Sequence, residues 1–120
     1  MASTRADAAT DLFDRYLSLH AANQTDAVVA LFDEHATIED PVGSPVLHGI
    51  DAVRDFYAHL HATNGRLEIE RVGPALVCGE ELAAHVRAAL RRPGSPPAMD
   101  VIYTLCLSDA GRIKRLRAFF

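Results

Sequence analysis

Tyr16, Asp40 and Tyr103 are residues whose types and positions could support acid–base chemistry, because each falls where an apolar neighbourhood is expected. Asp40 closes the β-prone run "ATIED" directly ahead of Pro41. A carboxylate among apolar neighbours loses the solvation that favours its charged form, so its pKa climbs toward the range useful for a general base. Two phenols are neutral donors at neutral pH and can hold a developing oxyanion. A plain structural role is open to each residue. Asp before Pro initiates turns, a Tyr on the inner face of a helix ties its hydroxyl to nearby backbone, and Tyr is at home in strands. Glu39, one step from Asp40 in an extended run, faces the other side and is expected in solvent.

Other chemistries find less support. The six histidines, His20, His35, His48, His59, His61 and His85, form no evident ligand set, and His59 and His61, two apart, face different directions in a helix. No metal is expected, and the chain has neither a glycine-rich phosphate loop nor a GxSxG elbow. Cys78 and Cys106 lack metal-ligand spacing and disulfide density, and read as reduced, small apolar residues. The net charge is −4, and the basic residues are dispersed except for Arg112, Lys114, Arg115 and Arg117, so no surface for nucleic acid is expected. No apolar run reaches membrane length, and "MASTRADAATD" is not a secretory signal, which makes the cytoplasm the expected location.

The elements that must position these residues follow from length and periodicity. A chain of 120 residues, 49% hydrophobic, supports one compact core, so residues 1–120 are expected to form one domain. Ser3 or Thr4 can cap a first helix with Ala8, Leu12, Tyr16 and Leu19 on its inner stripe, ending near Ala21 to Asn23. A second, shorter helix is expected from Thr25 through "AVVALF", with Val28, Val29, Leu31 and Phe32 as its apolar face. "IDAVRDFYAHLHA" gives a third, offering Ile50, Val53, Phe56, Tyr57 and Leu60.

Beyond "TNG" the period changes to two, and Leu67, Ile69 and Arg71 alternate with Glu68, Glu70 and Val72 in a strand. "ELAAHVRAALRR" fits either a helix or a half-buried strand, and is assigned as a strand. After the proline-rich connection "RRPGSPPA", "MDVIYTLCLS" and "IKRLRAFF" flank the turn "DAGR" as a hairpin. Helices first and strands afterwards is the order of an α+β domain: three N-terminal helices packed on a curved, mainly antiparallel sheet, forming a conical barrel with an apolar pocket.

Residues 15–60, "RYLSLHAANQTDAVVALFDEHATIEDPVGSPVLHGIDAVRDFYAHL", resemble a ketosteroid isomerase of the nuclear-transport-factor-2-like, or SnoaL-like, superfamily. The likeness rests on the helix with Tyr16, on "ATIEDPVG", and on the later "HG" and "FY"; it continues more weakly through "MDVIYTLCLSDAGRIKRLRAFF". It implies a cofactor-free steroid Δ5-isomerase that moves a Δ5-3-ketosteroid double bond to Δ4 through a dienolate. By that pattern Asp40 shuttles the proton from C4 to C6, Tyr16 donates to the C3 oxygen, and Tyr57 supports Tyr16. Phe32, Phe56 and Phe120 would wall the steroid pocket, and the protein would be a homodimer. In one respect the chain departs from the pattern, placing Tyr103 where an aspartic acid is expected as the second oxyanion donor. Asp100, three residues earlier, would point to the opposite face of a regular strand. A non-catalytic steroid- or lipid-binding protein, a polyketide cyclase, or an epoxide hydrolase with a second acid and an arginine such as Arg15 or Arg87 are the alternative readings.

Overall fold

The computed structural model describes residues 4–91 and 93–120. Helix α1 (Arg5–Ala21) starts at Thr4, whose hydroxyl accepts from the Asp7 N–H at 3.0 Å while the Asp7 carboxylate accepts from the Thr4 N–H at 3.3 Å. That reciprocal cap satisfies two donors that the helix itself cannot. Ser3, the other expected cap, lies outside the described residues. The buried stripe of α1 is Ala9, Phe13, Tyr16, Leu17 and His20. It is rotated from the expected one: Ala8 is exposed, and Leu12 and Leu19 are only partly buried. The aromatic Phe13 fixes this rotation, since its side chain is the larger apolar surface to remove from water.

Helix α2 (Thr25–Val29) is shorter than expected, because Phe32 already begins strand β1 (Phe32–Glu39). A short β2 (Leu47–His48) and helix α3 (Ile50–Thr63) follow. The second half contains β3 (Arg66–Arg71), β4 (Leu76–Cys78), β5 (Glu81–Arg91), β6 (Met99–Leu107) and β7 (Ile113–Phe119). The ambiguous segment is therefore a strand, and its expected last residue, Arg92, lies outside the described residues.

The strands form one sheet in the order β2-β1-β7-β6-β5-β3, with β4 paired to β5. All neighbours are antiparallel except β1 and β7, which run parallel. The sheet curves but does not close, so the expected barrel is an open cone. Irregular register between Phe32 and Thr37 and between Cys106 and Leu107 accompanies the bend, as bulges do. The three helices cover the concave face. Arg71 of β3 ties α1 to the sheet through a two-pronged ion pair with Asp14, at 2.8 and 3.0 Å.

The inward residues of the central strands build the core: Ile38 on β1; Leu82, Ala84 and Val86 on β5; Val101, Tyr103 and Leu105 on β6; Leu116 and Ala118 on β7. Leu116 and Ala118 thus belong to the interior. The outer face of the β6–β7 pair carries the paired, exposed Ile102 and Phe119.

Candidate active site

Strand register brings the acid and the phenols together. Parallel pairing sets Glu39 opposite Arg117, and the chain stays beside β7 as the Val42 N–H donates to the Ala118 carbonyl at 2.8 Å. On the other side of β7, Ala118 is opposite Tyr103, and Tyr103 is opposite Ala84 on β5. Asp40 and Tyr103 therefore stand at one level of the concave face, with the small side chains of Ala118 and Ala84 flanking the phenol. Small partners on both neighbouring strands leave the ring of Tyr103 room on the concave side.

Alternation separates the two acids. Glu39 turns outward, where its carboxylate accepts from Arg117 Nε at 2.8 Å and from the Gly43 N–H at 3.0 Å. These bonds hold its pKa below the ordinary carboxylate value, the Gly43 bond contributing most. It is thus engaged in the turn rather than free in solvent. Gly43 takes φ of 101°, a left-handed region that suits glycine. Asp40 turns inward, and burial lifts its pKa from 3.8 to about 6.

Tyr16, Tyr57 and Tyr103 converge in the core near Asp40. The Tyr16 and Tyr57 hydroxyls share a hydrogen bond of 2.7 Å, and the Tyr16 and Tyr103 rings meet edge to face with centroids 5.9 Å apart. Burial raises the pKa of all three, and the Asp40 carboxylate adds to each. The Tyr16 hydroxyl acts on Tyr103 in the opposite direction as a hydrogen-bond donor. All three phenols are accordingly held neutral, the state in which they donate.

Asp40 and Tyr103 line a cavity of about 180 Å³ together with His20 and the apolar side chains Leu60, Leu67 and Val101. Phe120 lies at its edge, 60% exposed. The other aromatic residues expected in the pocket wall are not in contact with the cavity. Phe32 is sealed in the core, while Phe56 is half-buried and packs edge-on against Tyr57 at 5.1 Å. Tyr16 and Tyr57 are also fully buried, one layer behind the cavity wall. A larger cavity of about 490 Å³ lies between the start of α1 and the β4–β5 turn, where Arg5, Glu80 and Asp109 are exposed; it touches neither Asp40 nor any of the phenols.

Asp100 lies on the outer face, where its carboxylate is 2.7 Å from His85 Nε2 and 3.3 Å from Arg87 Nη2. Arg15 is exposed. Among the described residues, Asp40 is the one carboxylate lining the cavity, and no group of three or more His, Cys, Asp or Glu is arranged to hold a metal ion.

Sequence reasoning missed a second polar pair. His20 Nδ1 lies 2.9 Å from His61 Nε2, and His61 Nδ1 lies 2.7 Å from Thr25 Oγ1. Burial pushes the pKa of His20 down to about 4, with His61 adding to the effect, and burial lowers that of His61 as well. The signal was present in the spacing. "YLSLH" and "YAHLH" place Tyr16 and His20, and Tyr57 and His61, four residues apart on two helices, so each helix presents a tyrosine and a histidine on one face.

Comparison with known proteins places this geometry among relatives. The model of the SnoaL-like domain matches residues 13–116. The chain is 28% identical to the steroid Delta-isomerase of Nocardioides simplex over 110 residues, which is 88% of this chain and 84% of that protein. It is also similar to the solved structure of SalBIII, described as an epoxide hydrolase/cyclase-like enzyme with a role in pyran ring formation in the polyether salinomycin. That match has a TM-score of 0.80 and 26% identity, and covers 92% of this chain and 88% of the other.

Proposed function

The chain belongs to the SnoaL-like domain family, whose fold alone fixes no single reaction, and from the site itself we propose a cofactor-independent isomerase that converts Δ5-3-ketosteroids to Δ4-3-ketosteroids. The observation that carries this reading is a lone inward carboxylate, with a pKa near 6, sharing a cavity wall with a neutral phenol. Ionised Asp40 removes a proton from C4 and the electron pair spreads through C3 onto its oxygen. The resulting Asp40 carboxylic acid then returns the proton to C6, which leaves the double bond at Δ4. A base with a pKa near 6 is mostly ionised at neutral pH, yet its conjugate acid is strong enough to give the proton back.

Tyr103, at the wall, donates to the oxygen, and Tyr16, one layer behind, donates in turn to Tyr103, so the charge that develops is shared along the two phenols. Tyr57 holds Tyr16 in place through their 2.7 Å bond. Phenols need no proton uptake to act as donors, so Tyr103 performs the task of the expected aspartic acid without depending on an apolar site to stay protonated. The cavity is smaller than the roughly 300 Å³ at which ligand pockets usually begin. A steroid therefore extends beyond it, along the exposed Pro96, Pro97 and Phe120 at its edge. The family likeness and the apolar Ile102 and Phe119 on the outer sheet face support a homodimer. The free Cys78 and Cys106 are in keeping with work in the cytoplasm.

Hydrolysis of an epoxide, the chemistry named for the SalBIII relative, calls for a second acid facing Asp40. Arg87, one arginine considered for such a set, instead pairs with Asp100 on the outer face. The test is the appearance of the conjugated enone absorbance from 5-androstene-3,17-dione. Turnover whose kcat/KM falls tenfold per pH unit below about 6 supports the reading. No conversion at any pH between 5 and 9 rejects it.

A further inference from the structure

His20 is 6% exposed, lines the cavity that Asp40 and Tyr103 share, and takes no part in the proton transfer. Its ring stacks on Tyr16 at 5.6 Å and meets Tyr57 edge-on at 5.4 Å, which fixes its plane. Nδ1 is engaged by His61. Nε2, the other ring nitrogen, has no hydrogen-bond partner among the described residues. This nitrogen is not among the polar atoms sealed from solvent without a partner, so it is reached from the cavity side, and an apolar ligand that covered it would leave it unpaired, which makes leucine the better wall for such a ligand.

The array behind His20 gives that nitrogen a definite chemistry. Thr25 Oγ1, the His61 ring and the His20 ring form a linear series of hydrogen bonds, at 2.7 and 2.9 Å. Both imidazoles are held neutral by burial, so each carries one N–H. If Thr25 donates inward, His61 donates to His20 Nδ1, and Nε2 of His20 carries a hydrogen. If His20 donates outward through Nδ1, His61 donates to the Thr25 oxygen, and Nε2 is a bare acceptor. The series thus offers the cavity either a donor or an acceptor without placing a charge in it.

We propose that His20 is a specificity-determining residue whose Nε2 binds a second oxygen of the substrate, a hydroxyl or a ketone remote from the enone. His61 and Thr25 set its tautomer to suit. The inference rests on the reading of the cavity as a steroid site, and it assigns a preference for oxygenated over plain hydrocarbon ring systems. A hydroxyl would accept or donate as needed; a hydrocarbon at that point would leave Nε2 desolvated and unpaired.

Equilibrium binding of 4-androsten-3-one and its singly hydroxylated 11β, 16α and 17β derivatives, measured by calorimetry on wild type, His20→Leu and Thr25→Val, tests this separately from turnover. At least one hydroxylated steroid should bind wild type about 10-fold more tightly than the parent. In His20→Leu that steroid should fall to the affinity of the parent, while the parent binds as well as before or better. Thr25→Val should lose part of the same preference. A loss that is equal for the parent and every derivative would mean that His20 is only a packing element, and would overturn the inference. So would the absence of any hydroxyl preference in wild type, or of any steroid binding. Wild-type conversion of 5-androstene-3,17-dione in parallel keeps the two readings apart: turnover without a hydroxyl preference rejects only the role of His20, and a preference without turnover rejects only the isomerase.

Discussion

Asp40→Asn is predicted to stabilise the protein at neutral pH and to leave its stability unchanged near pH 4. Burial raises the Asp40 pKa from 3.8 to about 6, so the folded state holds this proton more tightly than the unfolded chain. A contribution of that sign is complete below the unfolded value and is lost as pH rises through the folded one. At about 1.4 kcal/mol for each pH unit between the two, ionised Asp40 costs the fold about 3 kcal/mol above pH 7, or nearer 2 after allowing for water that reaches the carboxylate. Asparagine has nearly the same shape and no charge to bury. His20 works in the opposite direction. Its pKa is lowered from 6.5 to about 4, so the stability it contributes is present above the unfolded value and is lost as pH falls through the folded one, again by about 3 kcal/mol. In wild type the two effects offset each other across the interval from pH 6.5 to 4. Urea unfolding followed by circular dichroism from pH 4 to 8 should therefore show the Asp40→Asn advantage growing with pH, while the variant itself loses stability on acidification. His20→Gln should show the mirror image, gaining on wild type as pH falls. Other titrating groups are common to all three proteins and cancel from the differences to first order. A gap between Asp40→Asn and wild type that does not change with pH would refute the assignment of Asp40 as a buried, destabilising charge.

Tyr103→Phe should lower kcat by roughly 10²- to 10³-fold with a smaller change in KM, as loss of one oxyanion donor does. A silent substitution in steady-state kinetics would reduce Tyr103 to a wall residue. Tyr57→Phe removes the 2.7 Å bond to Tyr16 but no group at the cavity wall, so a loss of about 10-fold in kcat is expected, consistent with one neutral hydrogen bond. A loss as large as that of Tyr103→Phe would mean that Tyr57 acts on the substrate directly.

Much of the fold was legible because period and composition agree in each segment. The two-residue alternation of β3 and β5 and the turn "DAGR" between β6 and β7 specify strands that local sequence can describe. The parallel contact between β1 and β7 was not legible, since it joins segments about 78 residues apart and leaves no local mark. It is also the contact that brings Asp40 level with Tyr103. The rotation of α1 was misjudged because Leu12 and Leu19 fit the helical period as well as Phe13 and Leu17 do, and only packing against the sheet decides between the two stripes. Tyr16, Asp40 and Tyr103 could be named from the chain because polar residues at apolar positions stand out, whereas Tyr57 entered only through the resemblance. The resemblance puts Phe32 and Phe56 in the pocket wall, and the sequence offers no check on it, since an aromatic side chain gives no sign of whether it faces a cavity or closes the core behind it. His20 and His61 escaped notice since the relevant spacing was between each histidine and a tyrosine rather than between the histidines.

The most direct test of the account compares conversion of 5-androstene-3,17-dione to its conjugated 4-ene product by wild type and Asp40→Asn at pH 8, with far-ultraviolet circular dichroism confirming that both are folded. The account predicts turnover in wild type and a loss of about 10²- to 10⁴-fold or more in the variant. Equal rates in the two proteins would contradict it.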